Sequence, residues 1–398
     1  MSDPAMLRVA FVAGTLERGG AETQAVRMVE SLVACGVDVH VVALRGGAME
    51  SQLSAVGVEA VVVGRREAPP ARLLAIIGRL HPFRPHVVQG THFFTNLYAA
   101  GAARVLGAVS IGAIRNTLAY ERAANRGWGG ILLRAPDALV VNSDAARREV
   151  IAAGLAPSRV HFVPNALAPS VPHAGESAHV PFAAGPVAIT VARLAPAKRV
   201  DLVLDALALA HTRTGGIRLL IVGDGPERSR LAARAHELGL RDGSVQFLGT
   251  RDDVSTLLAQ ADMFVLASDH EGTPNALLEA MQAGLPVVMT RTADAGRLVE
   301  RSGAGIVVEC GDAEGLARAM VHLAVTPQAR TAMGGAGLRV AAAHRGESLG
   351  AELLEVYRRC AEQRGDDRVR RLCTVTPGAT RLPATPRRPG NPVRSSAQ

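Results

Sequence analysis

The chain contains a single lysine, Lys198, although lysine and arginine together number 44 in its 398 residues. Lys198 lies five residues after Arg193, in a loop that follows the strand-like run Val187–Val191. A forked guanidinium and a compact ammonium group in one loop can together bind the oxygens of a diphosphate. The alternative is an ordinary solvated lysine on a surface loop. Because every other Lys or Arg position holds arginine, the pattern favours an anion site at Lys198.

A second candidate site is the segment 269–281, which reads Asp-His-Glu-Gly-Thr-Pro-Asn-Ala-Leu-Leu-Glu-Ala-Met. Gly272 and Pro274 predict a turn, and a helix is expected to begin directly after it. The first backbone N–H groups of a helix form an anion site. Glu271 precedes this helix and Glu279 lies inside it, so both carboxylates can accept hydrogen bonds from the hydroxyls of one ligand. The alternative for Glu279 is a solvated helix position.

Two further loops carry weaker signals. Gly19 and Gly20 precede a predicted helix and allow the backbone to approach an anion closely, although a tight turn explains them equally well. The run 222–226, Val-Gly-Asp-Gly-Pro, ends a strand and starts a helix, with Asp224 as a possible cap. Neither loop has the Gly-x-Gly-x-x-Gly spacing of dinucleotide-binding proteins, so a dehydrogenase is not favoured.

The composition indicates a cytoplasmic protein without a metal site. The four cysteines are far apart, with no Cys-x-x-Cys pair and no histidine cluster, which argues against zinc and against a disulfide framework. The first apolar run, Leu7–Ala13, is too short for a signal peptide, and no stretch approaches the ~18 apolar residues of a membrane span. We therefore expect a cytoplasmic location, with peripheral attachment to the inner face of the membrane as the alternative.

Positive charge is concentrated at the two ends of the chain. The net charge is +8, which divides into +5 for residues 1–165, −3 for 166–363 and +6 for 364–398. Basic segments gain about 1 kcal/mol per arginine at an anionic membrane surface, which makes such a surface a candidate partner. No aromatic residues alternate with the arginines, so a nucleic-acid partner is not expected. Ordinary solubilising charge is the alternative interpretation.

Strand-like and helix-like segments alternate along both halves of the chain. This alternation predicts an α/β protein with two doubly wound, Rossmann-like parallel sheets that face a cleft. Ligands of such sheets bind where loops converge at the carboxyl ends of the strands, which is where the candidate residues lie. The predicted divisions are an N-terminal Rossmann-like domain (1–167), a linker (168–186), a C-terminal Rossmann-like domain (187–345), a C-terminal helix that packs back toward the first domain (346–363) and a basic, Pro-rich, disordered tail (364–398).

The order of the motifs resembles the family 4 retaining glycosyltransferases of GT-B fold. The motifs are Gly-Gly-Ala-Glu near the N-terminus, Arg-Leu-x3-Lys at the start of the second half, Gly-Asp-Gly-Pro, and Glu-Gly-x6-Glu-Ala-Met-x-Ala-Gly-x-Pro-Val-Val. The resemblance covers about residues 7–360. It implies that domain 1–167 is the acceptor side and that domain 187–345 binds the nucleotide sugar. It implies transfer of a sugar from a nucleotide-diphosphate donor to a glycan or lipid-linked acceptor, with retention at the anomeric carbon and without a metal ion or any cofactor.

The resemblance also implies roles for individual residues. Arg193 and Lys198 would hold the diphosphate, Glu279 the donor ribose, Glu271 the transferred sugar, and His92 would lie near sugar and acceptor. A structural histidine is the alternative for His92. The catalytic set is Glu271, Arg193, Lys198 and His92. The donor-binding set is Gly20, Arg193, Lys198, Gly272, Thr273, Pro274, Asn275, Ala276, Leu277 and Glu279.

Three positions depart from the family pattern. Ala192 and Ala166 stand where the family has glycine, and the loop 294–298, Asp-Ala-Gly-Arg-Leu, lacks the family's glutamate. That loop normally lies near the donor sugar. A catalytically silent protein that binds nucleotide sugars, or a GT-B sugar-nucleotide epimerase, therefore remains an alternative to a transferase.

Overall fold

Two parallel sheets with helices on both faces form the protein, which confirms the predicted fold class. The structure is a computed structural model that describes residues 6–64, 68–125, 127–168, 185–214, 216–240 and 243–373. The strands of the first sheet are β1 (Arg8–Ala13), β2 (Asp38–Ala43), β3 (Ala60–Val62), β4 (Val87–Gly90), β5 (Val109–Ile114), β6 (Ala138–Val141) and β7 (Val160–Phe162). Those of the second are β8 (Val187–Val191), β9 (Arg218–Val222), β10 (Val245–Gly249), β11 (Met263–Leu266), β12 (Val287–Thr290) and β13 (Gly305–Val308).

Helices connect the strands within each sheet. In the first half they are α1 (Gly20–Ala34), α2 (Glu50–Ala55), α3 (Pro69–Leu80), α4 (Asn96–Leu106), α5 (Leu118–Ala124), α6 (Gly129–Arg134) and α7 (Asp144–Ala152). In the second half they are α8 (Val200–Thr214), α9 (Arg228–Glu237), α10 (Val254–Ala259), α11 (Asn275–Gln282), α12 (Ala293–Ser302), α13 (Ala313–Val325), α14 (Pro327–Ala342), α15 (Leu349–Arg364) and α16 (Asp367–Leu372).

The strand order of each sheet reverses at its centre. The first sheet runs β3-β2-β1-β4-β5-β6-β7 and the second runs β10-β9-β8-β11-β12-β13. Parallel pairing joins Val9 to both Val39 and Val87 in the first sheet. The loops that follow β1 and β4, and those that follow β8 and β11, diverge at these switch points and leave a crevice at the carboxyl end of each sheet.

The C-terminal helices return to the first domain. Leu353, Tyr357 and Cys360 of α15 are buried in the same apolar cluster as Phe11 of β1 and Leu32 of α1. The second domain has its own cores on the two faces of its sheet. No helix in the described part of the chain is long and apolar enough to cross a membrane.

The disordered tail was predicted to begin at residue 364, which is too early. Residues 366–373 form α16 and its ends, with Val369 and Cys373 only 2% and 3% exposed in the first core. The sequence prediction was wrong here because it weighed the three arginines of this stretch, Arg368, Arg370 and Arg371, and not its apolar residues, which face the protein. Residues 374–398 lie outside the described part of the chain, as do residues 169–184, which make up most of the predicted linker.

Seven helices of the described segments, α2, α4, α5, α6, α7, α14 and α16, and one strand, β5, were not predicted from the sequence. Of these, α4 and α14 are rich in alanine and glycine, and Ser110 and Gly112 interrupt the apolar run of the central strand β5. All six residues of β5 are buried. Small residues give little hydrophobic contrast, so the periodicity that identifies amphipathic helices and strands is weak in these segments.

Candidate active site

The Arg193–Lys198 loop is held in place by the glycines of the next loop. The backbone N–H of Leu194 donates to the carbonyl of Asp224 over 3.0 Å. A side chain at Gly223 or Gly225 would overlap the carbonyl oxygens of Ala192 and Leu194, respectively. The backbone of the Gly-Asp-Gly-Pro run therefore packs directly against the Arg193–Lys198 loop.

Lys198 and Glu271 form an ion pair. Lys198 ends a short 3₁₀ turn after β8, and its Nζ contacts Oε1 of Glu271 in the loop after β11. The hydroxyl of Ser268 donates to the same carboxylate oxygen over 2.7 Å. Glu271 is only 6% exposed. The pair keeps a buried carboxylate satisfied and directs its ammonium partner to the edge of the cleft.

Arg199 joins the same two loops beside the ion pair. It adopts a left-handed conformation, with φ of 45°, and its guanidinium lies 3.3 Å from both Asp201 and Asp269. The backbone N–H of Asp269 donates to the carbonyl of Ala197 over 3.0 Å. By contrast, the Arg193 side chain is exposed on the loop surface.

Helix α11 begins between the two domains. Pro274 is its N-cap residue, and no described side chain caps its first turn, which holds Asn275, Ala276 and Leu277. Gly272 faces the first domain, because a Cβ there would lie 3.5 Å from Oδ1 of Asn142. The first N–H groups of α11 therefore lie at the mouth of the cleft without a cap from any described side chain, as a sequence-predicted anion site requires.

Side-chain amides tie the start of α11 to the first domain. The Asn275 amide donates to the carbonyl of Gly20 over 3.1 Å. Its Oδ1 accepts from Gln24 over 3.0 Å and from Asn165 over 2.9 Å. Asn165 also donates to the carbonyl of Thr273 over 2.8 Å. These contacts place the Gly19–Gly20 loop directly against the α11 N-terminus.

Glu279 lies one turn further along α11 and pairs with Arg27 of α1. Oε1 of Glu279 is 3.5 Å from Nη2 of Arg27. Burial raises the pKa of Glu279, and the charge of Arg27 and a hydrogen bond from it act in the opposite direction. The Glu279 side chain is 29% exposed, so part of the carboxylate remains open to solvent.

His92 is bound on both ring nitrogens. Nε2 lies 3.0 Å from Oε1 of Glu22 in the first turn of α1, and Nδ1 lies 2.8 Å from the Thr91 hydroxyl and 3.4 Å from the Gly14 N–H. Burial raises the pKa of the nearby Glu121 carboxyl to about 7, against the opposing charge of His92. His92 therefore connects the loop after β4, in which it lies, to Gly14 and to the first turn of α1.

The segment 294–298 at the start of α12, which departs from the family pattern, also contacts the first domain. Oδ2 of Asp294 accepts from the backbone N–H of Ala145 over 2.5 Å, and Oδ1 lies 3.5 Å from Arg148. The negatively charged Asp294 therefore contacts the first domain from the segment 294–298, which lacks the family's glutamate.

The structure brings most of the predicted residues to one interdomain crevice. Lys198 touches Glu271, Gly20 touches Asn275, and residues 272–277 lie between them. Sequence reasoning missed Glu22, Gln24, Arg27 and Asn165. Two signals were available, since Glu22 completes the Gly-Gly-Ala-Glu motif and Asn165 belongs to Pro-Asn-Ala. No cluster of three or more His, Cys, Asp or Glu side chains that could hold a metal ion occurs in the described segments.

Two family models match consecutive parts of the chain. The model described as Glycosyltransferase Family 4 matches residues 18–171, and that described as Glycosyl transferases group 1 matches residues 185–325. The two matches meet at the linker and together span most of the chain. Each therefore corresponds to one of the two sheets.

Curated proteins match over shorter segments. The lipopolysaccharide core biosynthesis glycosyltransferase LpsE of Rhizobium meliloti is 36% identical over 146 residues, which cover 37% of this chain and 42% of that protein. The GDP-mannose-dependent α-(1-6)-phosphatidylinositol monomannoside mannosyltransferase of Mycobacterium tuberculosis is 32% identical over 195 residues, 46% of this chain and 49% of that protein. The chain thus matches less than half the length of these relatives.

Solved structures match over nearly their whole length. HepE of Anabaena, in complex with UDP and glucose, has a TM-score of 0.77 at 18% identity and covers 88% of this chain and 98% of its own. WaaG, a glycosyltransferase of lipopolysaccharide biosynthesis, has a TM-score of 0.68 at 20% identity, with 87% and 98% covered. At such identities the likeness establishes the shared fold, which is the GT-B fold.

Proposed function

Because the chain belongs to glycosyltransferase family 4, we propose that it transfers a sugar from a nucleoside-diphosphate donor to a hydroxyl group. The product would be a surface or exported glycan, either a polysaccharide or a glycolipid. Relatives named for lipopolysaccharide core and phosphatidylinositol mannoside synthesis support this class of acceptor. The proposal extends to a retaining, metal-independent hexosyl transfer, in keeping with the motif order and with a sequence that has no Asp-x-Asp.

The contact between Lys198 and Glu271 beside the α11 N-terminus is the observation that carries the proposal. A diphosphate at this point would meet an ammonium group, the first N–H groups of α11 and the exposed Arg193. Together these groups can neutralise the charge that develops as the bond between sugar and phosphate breaks. Glu271 then lies where it can accept hydrogen bonds from the transferred sugar, and Glu279 from the ribose.

The acceptor would enter from the first domain. His92, Glu22 and Glu121 lie at the carboxyl end of its sheet, on the side of the cleft opposite the donor loops. The net charge of +5 on residues 1–165 suits an acceptor embedded in an anionic membrane surface. We therefore propose peripheral attachment to the cytoplasmic face of the membrane.

A panel of nucleotides and nucleotide sugars tests the donor site directly. The melting temperature is measured with UDP, GDP, ADP and dTDP and with their common sugars, using Glu279→Ala as the control. We expect one nucleotide series to raise the melting temperature of the wild type and to lose this effect in Glu279→Ala.

Turnover then separates the candidate functions. Release of the nucleotide with a lipid-linked or glycan acceptor supports the transferase. Selective donor binding without turnover would favour the silent nucleotide-sugar-binding protein, for which the engaged Asp294 is the supporting observation. Absence of binding to every nucleotide would overturn the proposal.

A further inference from the structure

Arg27 is a largely buried cation that reaches from the first domain to the donor helix α11. It lies on α1 with its side chain 13% exposed. Nη1 donates to the carbonyl of Ala166, where the chain leaves the first domain, and Nη2 lies 3.5 Å from Oε1 of Glu279. One guanidinium therefore contacts both the end of the first domain, at Ala166, and a carboxylate of the second domain.

Burial disfavours the charged forms of both Arg27 and Glu279, so the charge of each depends on its partner. Burial lowers the pKa of Arg27 and raises the pKa of Glu279, and in each case the partner opposes the shift. Glu30 is a second carboxylate facing Arg27, and burial raises its pKa as well. Removal of the cation would leave Glu279 in a desolvated position without its compensating charge, which favours the neutral, differently hydrogen-bonded acid.

The geometry leaves room for a ligand on Glu279. The contact of Arg27 with Oε1 of Glu279, at 3.5 Å, is longer than the 2.7–2.9 Å of a tight charge-assisted hydrogen bond. A bidentate pair would occupy both carboxylate oxygens. The observed contact fixes the direction of the carboxylate and keeps acceptor capacity on its second oxygen, which suits a vicinal pair of ribose hydroxyls.

We propose that Arg27 is a positioning residue of the donor site, which holds the Glu279 carboxylate for the donor ribose from the opposite domain. The inference rests on the proposed function, in which Glu279 binds the donor. It adds that donor affinity depends on a residue of the acceptor-side domain. Nucleotide binding is thereby coupled to the approach of the two domains, because Arg27 reaches Glu279 only when α1 and α11 are in contact.

A double-mutant cycle distinguishes positioning from general domain contact. Dissociation constants for UDP, GDP, ADP and dTDP are measured by calorimetry on the wild type, Arg27→Gln, Glu279→Gln and the double variant. Arg27→Lys restores the charge without the forked donor. Arg148→Gln is the matched control, because it removes another arginine contact between the domains, that with Asp294, away from Glu279.

We expect Arg27→Gln to weaken binding of the preferred nucleoside diphosphate about tenfold, and Arg27→Lys to recover part of the loss. In the Glu279→Gln background, Arg27→Gln should have no further effect. In the enzyme assay the change should appear in the KM for the donor, with kcat at saturating donor within about twofold of the wild type. Arg148→Gln should bind as the wild type does.

Three results would overturn the inference. Independent, additive effects of the two substitutions would assign Arg27 to general stability. Unchanged affinity in Arg27→Gln would remove it from the donor site, and tighter binding would make it a competitor of the ribose. If the wild type binds none of the four nucleotides, the proposed function fails and the inference with it, whereas the first three results leave the proposed function intact.

Discussion

Single side chains at the centre of the crevice were found from sequence, but their partners were not. Lys198 and Glu271 were separate candidates because of their residue types and the motifs around them. Their contact depends on β8 pairing with β11, although β9 and β10 come between them in the chain. The contact between His92 and Glu22 likewise depends on β1 pairing with β4. Such contacts follow from strand order, which one-dimensional spacing does not contain.

Replacement of the single lysine by arginine should impair the enzyme although the charge is kept. Lys198 fits between a 3₁₀ turn, Ser268 and the buried carboxylate of Glu271. A guanidinium is larger and planar, and it cannot present a compact charge to a phosphate oxygen from that position. We expect kcat/KM for Lys198→Arg to fall at least about tenfold. The surface exchange Arg104→Lys is the control, and near-normal turnover of Lys198→Arg would contradict the assignment.

The raised pKa of Glu121 makes stability fall with increasing pH. Burial raises this pKa from 4.5 to about 7, so the folded state binds the proton more tightly than the unfolded state does. Stability is therefore lost as the pH rises from the unfolded value through the folded one. Glu121→Gln, which stays neutral, should exceed the wild type by up to about 3 kcal/mol at pH 8 and match it at pH 4.

Urea denaturation at both pH values measures this difference. Glu59→Gln, which changes an exposed carboxylate, is the control and should follow the wild type. Equal pH dependence of Glu121→Gln and the wild type would exclude Glu121 as the titrating group.

Among helices and strands, those with a strong apolar pattern were predicted closely. The strand-like run Val187–Val191 shows this, since it forms β8 with the bounds that the sequence predicts. The missed helix α14 shows the limit. Its buried positions Gly334, Ala336, Gly337 and Ala341 carry almost no side-chain volume, so packing is achieved by close backbone approach and not by a hydrophobic stripe.

This close approach makes Gly334 sensitive to a single methyl group. A Cβ at Gly334 would overlap the carbonyl oxygen of Gly284, just after α11, whereas one at Gly335 would meet nothing within 4 Å. Gly334→Ala should cost about 1–3 kcal/mol of stability. Gly335→Ala should raise stability by up to about 1 kcal/mol, because alanine favours the helix.

Denaturation midpoints of the two alanine variants provide the comparison. Nucleotide affinity is a second measurement, because a displaced α11 would also move Asn275 and Glu279. Gly334→Ala should therefore weaken binding, while Gly335→Ala should not. Equal stability of the two variants would show that α14 packs differently.

Polar contacts join the two domains, and the amino-acid composition does not predict them. Gln24, Asn165 and Asn275 form an amide network at one point of the crevice, and Asp294 bridges to Ala145 at another. Amide and carboxylate contacts leave no periodic signal in the sequence. The presence of two sheets and a crevice was therefore predictable, whereas the groups that hold the crevice closed were not.

Two truncations from the C-terminus distinguish the contribution of residues 364–373 from that of residues 374–398. Val369 and Cys373 are buried in the first core, and Nη1 of Arg364 lies 2.9 Å from Asp137. A chain that ends after Cys373 should keep the melting temperature and turnover of the full chain. One that ends after Gln363 loses these contacts and should be less stable by about 2–4 kcal/mol, because burial of one large apolar side chain contributes about 1.5–3 kcal/mol.

The chain that ends after Cys373 also tests which part of the protein attaches it to a membrane. Residues 374–398 carry four arginines and no acidic residue, while the first domain carries a net +5. If the tail supplies most of the electrostatic attraction, the chain ending after Cys373 should bind phosphatidylserine vesicles more weakly, with unchanged turnover on a water-soluble acceptor. Co-sedimentation at low and high salt measures this. Unchanged vesicle binding would assign the attraction to the first domain, and reduced turnover on the soluble acceptor would show that the tail contributes to catalysis.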